Sequence, residues 1–86
     1  MYKILFAKTA EKEYTLLHKT NKKIFERVRK AIYFLAGNPT AGKPLKLILK
    51  GKWSYRVGSY RIIYYLEHKI LTVYILDIGH RRYIYK

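Results

Sequence analysis

The chain has no cysteine. That excludes a disulfide framework and a thiolate zinc site, and it suits a reducing compartment. Long apolar runs are missing as well. The opening stretch MYKILFAK holds only four apolar residues together before Lys8, which is shorter than the apolar region of a secretory signal. The run ILTVYIL at residues 70–76 falls far below the roughly 20 residues of a membrane span. These absences predict a soluble, cytoplasmic protein with no membrane partner.

Negative charge is scarce. Five Asp and Glu face nineteen Lys and Arg, giving a net charge of +14. Such an excess opposes compaction by self-repulsion, and its natural use is a polyanionic partner. After Glu26 no carboxylate occurs until Glu67, while Arg27, Arg29, Lys30, Lys43, Lys46, Lys50, Lys52, Arg56 and Arg61 fall between. A solvated basic surface is the plainer reading of the total; the segregation favours the partner.

What is present is enough for one small core. Half of the 86 residues are hydrophobic, and a chain of this size buries about 60% of its unfolded surface. Residues 1–86 therefore read as a single domain, without repeats or linkers.

YKILFA at 2–7 has the composition of a first strand. Thr9 is a candidate N-cap for a helix over AEKEYTLLHK, with Glu11 and Glu13 near its positive end. Asn21 can cap a second helix, KKIFERVRKAIYFLA, whose Ile24, Phe25, Val28, Ala31, Ile32 and Leu35 form one apolar stripe. Gly37 fits the position just past its end, and Pro39 prevents continuation. GNPTAGKP at 37–44 is a loop, and LKLILKGK at 45–52 is ambiguous between loop and edge strand. KWSYRV, YRIIYYL and ILTVYILD then form three strands, joined through GS and EHK. The fold class is α+β: an N-terminal strand, a two-helix hairpin, and a three-stranded antiparallel meander in a twisted, mostly antiparallel sheet.

If Gly58 and Ser59 are the turn, Val57 pairs with Tyr60 and Arg56 faces Arg61. Directly opposed like charges destabilise a sheet. Strand period places Ser54, Arg56, Arg61, Ile63 and Tyr65 on one face, and Trp53, Tyr55, Val57, Tyr60, Ile62 and Tyr64 on the other, which reads as core. Two guanidiniums on an open face suit a bidentate grip on phosphate. Glu67 or Asp77 neutralising one arginine is the structural alternative. The chain ends DIGHRRYIYK, where a glycine interrupts the last strand and aromatics alternate with bases. That mixture suits stacking of unpaired nucleotides, and a Tyr or His there can pass a proton.

GSYRIIYYLEHKILTVYILDIGHRRYIYK resembles the end of the RelE/ParE toxin superfamily: a G-x-Y-R strand, a further strand and a G-H-R-x-x-x-Y tail. GKPLKLILKGKWSYRV is similar to the corresponding segment of the YoeB branch. The resemblance implies a RelE-like fold and a ribosome-dependent mRNA endoribonuclease that needs no metal or other cofactor. It also implies a cognate acidic, RelB-like antitoxin in a hetero-oligomeric complex, with ribosome and mRNA as the other partners. Carried over by position, Arg61 is the phosphate-binding arginine and Arg56 a basic strand position. Arg81 is the tail arginine and Tyr85 the terminal tyrosine, with His80 and Tyr83 as rivals for proton transfer. Lys43, Lys46, Lys50, Lys52, His80, Arg82 and Tyr83 are the candidate RNA-binding residues. Leu45 stands where the YoeB pattern has a glutamate after Lys-Pro, so basic and phenolic groups replace a carboxylate base. Two other readings remain open: a ParE-like toxin that inhibits gyrase, and a non-catalytic basic RNA- or ribosome-binding domain. The set His80, Arg81, Tyr85 favours the nuclease.

Overall fold

The computed structural model describes residues 1–80 of the chain. Strand β1 (Lys3–Phe6) leads into helix α1 (Lys8–Thr20), and a single residue, Asn21, separates it from helix α2 (Lys22–Gly37). A two-residue strand β2 (Lys43–Pro44) and a 3₁₀ turn at Leu47–Leu49 follow. Then come β3 (Lys52–Val57), β4 (Tyr60–Glu67) and β5 (Thr72–His80). The strands form one five-stranded mixed sheet in the order β1-β5-β4-β3-β2. The expected α+β class and meander hold. Beyond the expectation, β1 joins parallel to β5 at one edge and β2 closes the other. No helix among the described residues is long and apolar enough to cross a membrane.

The helices cover one face of the sheet. On α2 the stripe Val28, Ala31, Ile32 and Leu35 is buried, and on α1 Ala10 and Leu17 are buried with Tyr14 half-buried between them. Opposite them lie Val57, Ile62, Tyr64, Leu66, Val73, Ile75 and Ile78. Burying a large aliphatic side chain of this kind contributes about 1.5–3 kcal/mol, so this single layer holds a small, repulsive chain together.

A β-bulge in β5 makes that layer continuous. Ile63 pairs with Asp77, but its neighbour Tyr64 pairs with Ile75, leaving Leu76 as the extra residue. Strict alternation would send Ile75 and Ile78 to opposite faces. With one residue bulged, both point to the helices and both are fully buried.

Several boundaries differ from the sequence reading, each for a local reason. Thr9 lies inside α1 and does not cap it, because the Ala7 N–H completes the β1 ladder on Ile75 O at 2.8 Å and the helix starts at once. Asn21 does cap α2, its side chain accepting from the Ile24 N–H at 3.2 Å. Gly37 is the last residue of α2, and Asn38 terminates the helix by donating both backbone and side-chain N–H groups to Phe34 O. The β4–β5 connection is a 3₁₀ turn at His68–Ile70 ended by Leu71 in the left-handed region. Gly79 does not break β5, which runs through it to His80 opposite Tyr60.

Gly37 has no left-handed backbone, and a Cβ added there would meet nothing within 4 Å. Gly37→Ala is therefore expected to raise stability by about 0.5–1 kcal/mol by restricting the unfolded chain. Denaturant unfolding of the two proteins checks this, and a loss of stability would mean that the glycine is needed.

Candidate nucleic-acid interface

The β3–β4 hairpin has the register expected from its turn. Val57 pairs with Tyr60, and Arg56 lies directly across from Arg61. Gly58 has φ +61°, and Ser59 is not in the left-handed region, the pattern of a II′ turn with glycine first. The turn thus fixes two guanidiniums side by side at the end of the sheet. Arg56 is exposed and Arg61 half-buried. The Arg56 Nε–H reaches Gly58 O only at 3.4 Å.

A third cation arrives from β2, where Lys43 pairs with Ser54. Pro44 allows only a very short strand here, so a side-chain clamp holds the approach to it. The hydroxyl of Tyr64, in mid-β4, donates to Pro39 O at 2.9 Å and accepts from the Gly42 N–H at 3.0 Å. A Cβ on Gly42 would run into that hydroxyl and into Ser54 O, so the loop crosses here only because residue 42 has no side chain. Tyr64 itself is fully buried and stacks on Trp53, with ring centroids 6.2 Å apart. Burial pushes its phenol above the ordinary 10.0, the Gly42 hydrogen bond pulling the other way.

The result is a cleft of about 460 Å³ lined by Ala41, Gly42, Lys43, Ser54, Tyr55, Arg56 and Arg61. Among the described residues its charged lining is Lys43, Arg56 and Arg61, with no carboxylate. Glu67 instead accepts from the Tyr65 hydroxyl at 3.2 Å, and Asp77 accepts from the Ile78 N–H at 2.9 Å. At the base of the cleft the Ser54 Oγ is buried without a hydrogen-bond partner among the described residues, although Ser54 lies between the cations Lys43 and Arg56. Sequence reasoning placed Ser54 on this face but gave it no role. Three cations lining one hollow, with no carboxylate among the described lining residues, suit an anionic ligand such as phosphate.

The remaining candidates are distributed around this centre. Lys52 is on the same face two residues before Ser54, and lines a neighbouring hollow with Leu49, Ile63, Leu76 and Asp77. Lys46 and Lys50 flank the 3₁₀ turn and lie outside the cleft, both exposed. Between them Leu47 and Ile48 are 89% and 96% exposed, and Leu47 has φ +59°. A bulky residue in that region is strained. His80 is not on the arginine face: it pairs with Tyr60, packs edge-on against its ring at 5.7 Å, and borders a hollow with Thr9 and Glu13. Arg81, Arg82, Tyr83 and Tyr85 lie outside the described residues.

Comparison with known proteins gives the family and the fold. The family described as ParE toxin of type II toxin–antitoxin system, parDE, matches residues 4–85. Toxin RelG of Mycobacterium tuberculosis is 37% identical over 87 residues, spanning 99% of this chain and 97% of that protein. The toxin–antitoxin complex RelBE2 from Mycobacterium tuberculosis contains a chain 34% identical, with TM-score 0.81 over 93% of this chain and 98% of that one. The isolated E. coli RelE toxin shares the fold at 19% identity, with TM-score 0.76 over 93% of this chain and 84% of that one.

Tyr64→Phe strands the Gly42 N–H and the Pro39 carbonyl, and should cost about 1–3 kcal/mol. The phenol favours the folded state in its neutral form, so its contribution is complete below pH 10 and fades as the unfolded chain begins to ionise above it. The stability gap between wild type and Tyr64→Phe should therefore narrow above pH 10, as chemical denaturation at about pH 8 and about pH 11 can read. Gly42→Ala should displace β2, lowering both stability and affinity for RNA phosphate. An unchanged affinity would remove Lys43 from the cleft's function.

Proposed function

The chain belongs to the family of ParE toxins of type II toxin–antitoxin systems, and we propose that it is a ribosome-dependent endoribonuclease that cuts mRNA without metal and so inhibits translation. The observation that carries this reading is the Lys43–Arg56–Arg61 cleft. RNA holds its own nucleophile, so the protein must orient the 2′-hydroxyl in line, stabilise the phosphorane and move two protons. The 2′-oxygen attacks phosphorus, its proton passing to a base. The P–O5′ bond breaks, and the leaving oxygen takes a proton from an acid. Arg56 and Arg61, with Arg81, stabilise the extra charge, which is commonly the largest single contribution. Tyr85 is the proposed proton donor, with His80 and Tyr83 as rivals. Leu45 offers no carboxylate, so proton transfer rests on basic and phenolic groups.

General acid–base help contributes on the order of 10²–10⁴-fold, too little for a freely rotating strand. Orientation by the ribosome supplies the rest, which makes the ribosome and mRNA joint partners. Lys46, Lys50, Lys52 and Arg82 extend the basic surface along the RNA. The remaining partner is an acidic, RelB-like antitoxin in a hetero-oligomeric complex. Its carboxylates answer the +14 charge, and its apolar side chains would cover the strained, exposed tip at Leu47 and Ile48. A cytoplasmic location follows from these partners. A second reading, inhibition of gyrase without cleavage, draws on the ParE description of the family.

Arg61→Ala is expected to lower single-turnover cleavage on programmed ribosomes by about 10²-fold or more while the protein stays folded, since it removes a grip on phosphate and no core. Tyr85→Phe should slow cleavage and leave ribosome binding nearly unchanged. Primer extension on mRNA after brief induction reads the wild-type activity. Intact messages together with lost supercoiling by purified gyrase would move the protein to the second reading.

A further inference from the structure

Strand β2 covers β3 only at Trp53 and Ser54. Beyond them, among the described residues, the outer edge of β3 from Tyr55 to Val57 has no strand beside it, and a second groove begins there. It runs between α2 and the hairpin, lined by Arg27, Lys30, Phe34, Tyr55, Arg56 and Gly58. Tyr55 and Arg56 line both this groove and the phosphate cleft, so the two hollows meet over the open strand edge.

The groove is furnished in the same way as the cleft. The guanidinium of Arg27 lies against the turn, 3.4 Å from where a Cβ of Gly58 would be. Lys30 is one turn further along α2. The nearby acid, Glu26, is held by Arg29 at 2.8 Å, and among the described residues no carboxylate pairs with Arg27 or Lys30. Phe34 is 47% exposed, and its ring lies 6.0 Å from that of Tyr55. Two cations without a carboxylate beside two accessible rings match the chemistry of a nucleotide, with phosphate on the cations and base on the rings.

We infer that this groove is a second nucleotide subsite, which holds the nucleotide adjoining the scissile phosphate on the same single-stranded RNA. The inference rests on the proposed RNA-cleaving function and deepens it. Arg56 is the bridge: it faces the phosphate in the cleft and marks where the strand turns over the edge of β3. Stacking tolerates any base, so the subsite adds affinity and fixes strand direction without reading sequence.

The test uses the full chain and 2′-O-methyl RNA oligonucleotides, which lack the nucleophile and cannot be cut. Affinity for wild type should rise from a dinucleotide to a pentanucleotide. Arg27→Gln with Lys30→Gln should abolish that rise and leave dinucleotide binding unchanged. It should also lower the salt slope for the longer RNA by about 1.4, at about 0.7 for each phosphate no longer neutralised. Phe34→Leu should weaken the pentanucleotide about 5-fold or more by removing a stacking ring. All three positions are exposed or half-exposed, and thermal unfolding confirms that the variants fold. A double variant that keeps the full gain with length overturns the inference. So does one that loses antitoxin affinity while binding RNA like wild type, because the groove would then belong to the antitoxin. Failure of the cleavage reading looks different: wild type binds these oligonucleotides with the same gain but leaves messages on ribosomes whole.

Discussion

The hydroxyl of Tyr64 decides how the cleft is assembled. It sits in the middle of a buried strand, donates to Pro39 O and accepts from Gly42 N–H. Through those two bonds a loop from the end of α2 is held to the sheet, and Lys43 is delivered opposite Ser54. Two-residue β2 contributes little pairing of its own, and proline removes one donor from it. The phenol anchors the segment before Lys43, and the Leu45 N–H donating to Lys52 O at 2.9 Å anchors it just after. The same side chain fills the core against Trp53, so packing and site geometry share one residue.

Electrostatics pulls against this assembly. Arg56 and Arg61 are opposed across a strand pair, and like charges in that position destabilise a sheet. A small chain of +14 has little stability in reserve to absorb it. The repulsion is tolerated at the end of a hairpin, where Arg56 is exposed to solvent and water screens the pair. A phosphate between the two guanidiniums would turn the repulsion into attraction. The physical logic of the pair therefore points to an anionic ligand, and an acidic partner protein would relieve the same strain when RNA is absent.

Family membership and site geometry answer different questions. A fold shared with the RelE toxin fixes the scaffold, and fold alone does not fix chemistry. The nuclease reading depends on the cleft, which has no carboxylate among the described residues, and on the tail residues Arg81 and Tyr85. His80 stands apart from the arginines, because neighbouring residues of a strand face opposite sides and Gly79 is the residue paired with Arg61.

Much of the hairpin and of α2 was legible at short range. The Gly58-Ser59 turn sets the hairpin register, because a two-residue loop with glycine first leaves one pairing, and Arg56 then has to face Arg61. The stripe on α2 was legible for a similar reason: a 3.6-residue period needs no distant partner. What depended on distant partners was not legible. The parallel pairing of β1 with β5 links residues 3–6 to 72–75, and no local pattern encodes it. The Leu76 bulge exists because Ile75 and Ile78 must both reach one core. Lys43 enters the cleft with the help of a tyrosine about twenty residues further along the chain, and the groove of Arg27 and Lys30 appears only when α2 is laid beside the hairpin. Residue identity, period and turn chemistry act over a few positions, and the sequence by itself determined what they control. Which charges share a hollow was left to tertiary packing, because that depends on where the buried core sends each strand edge.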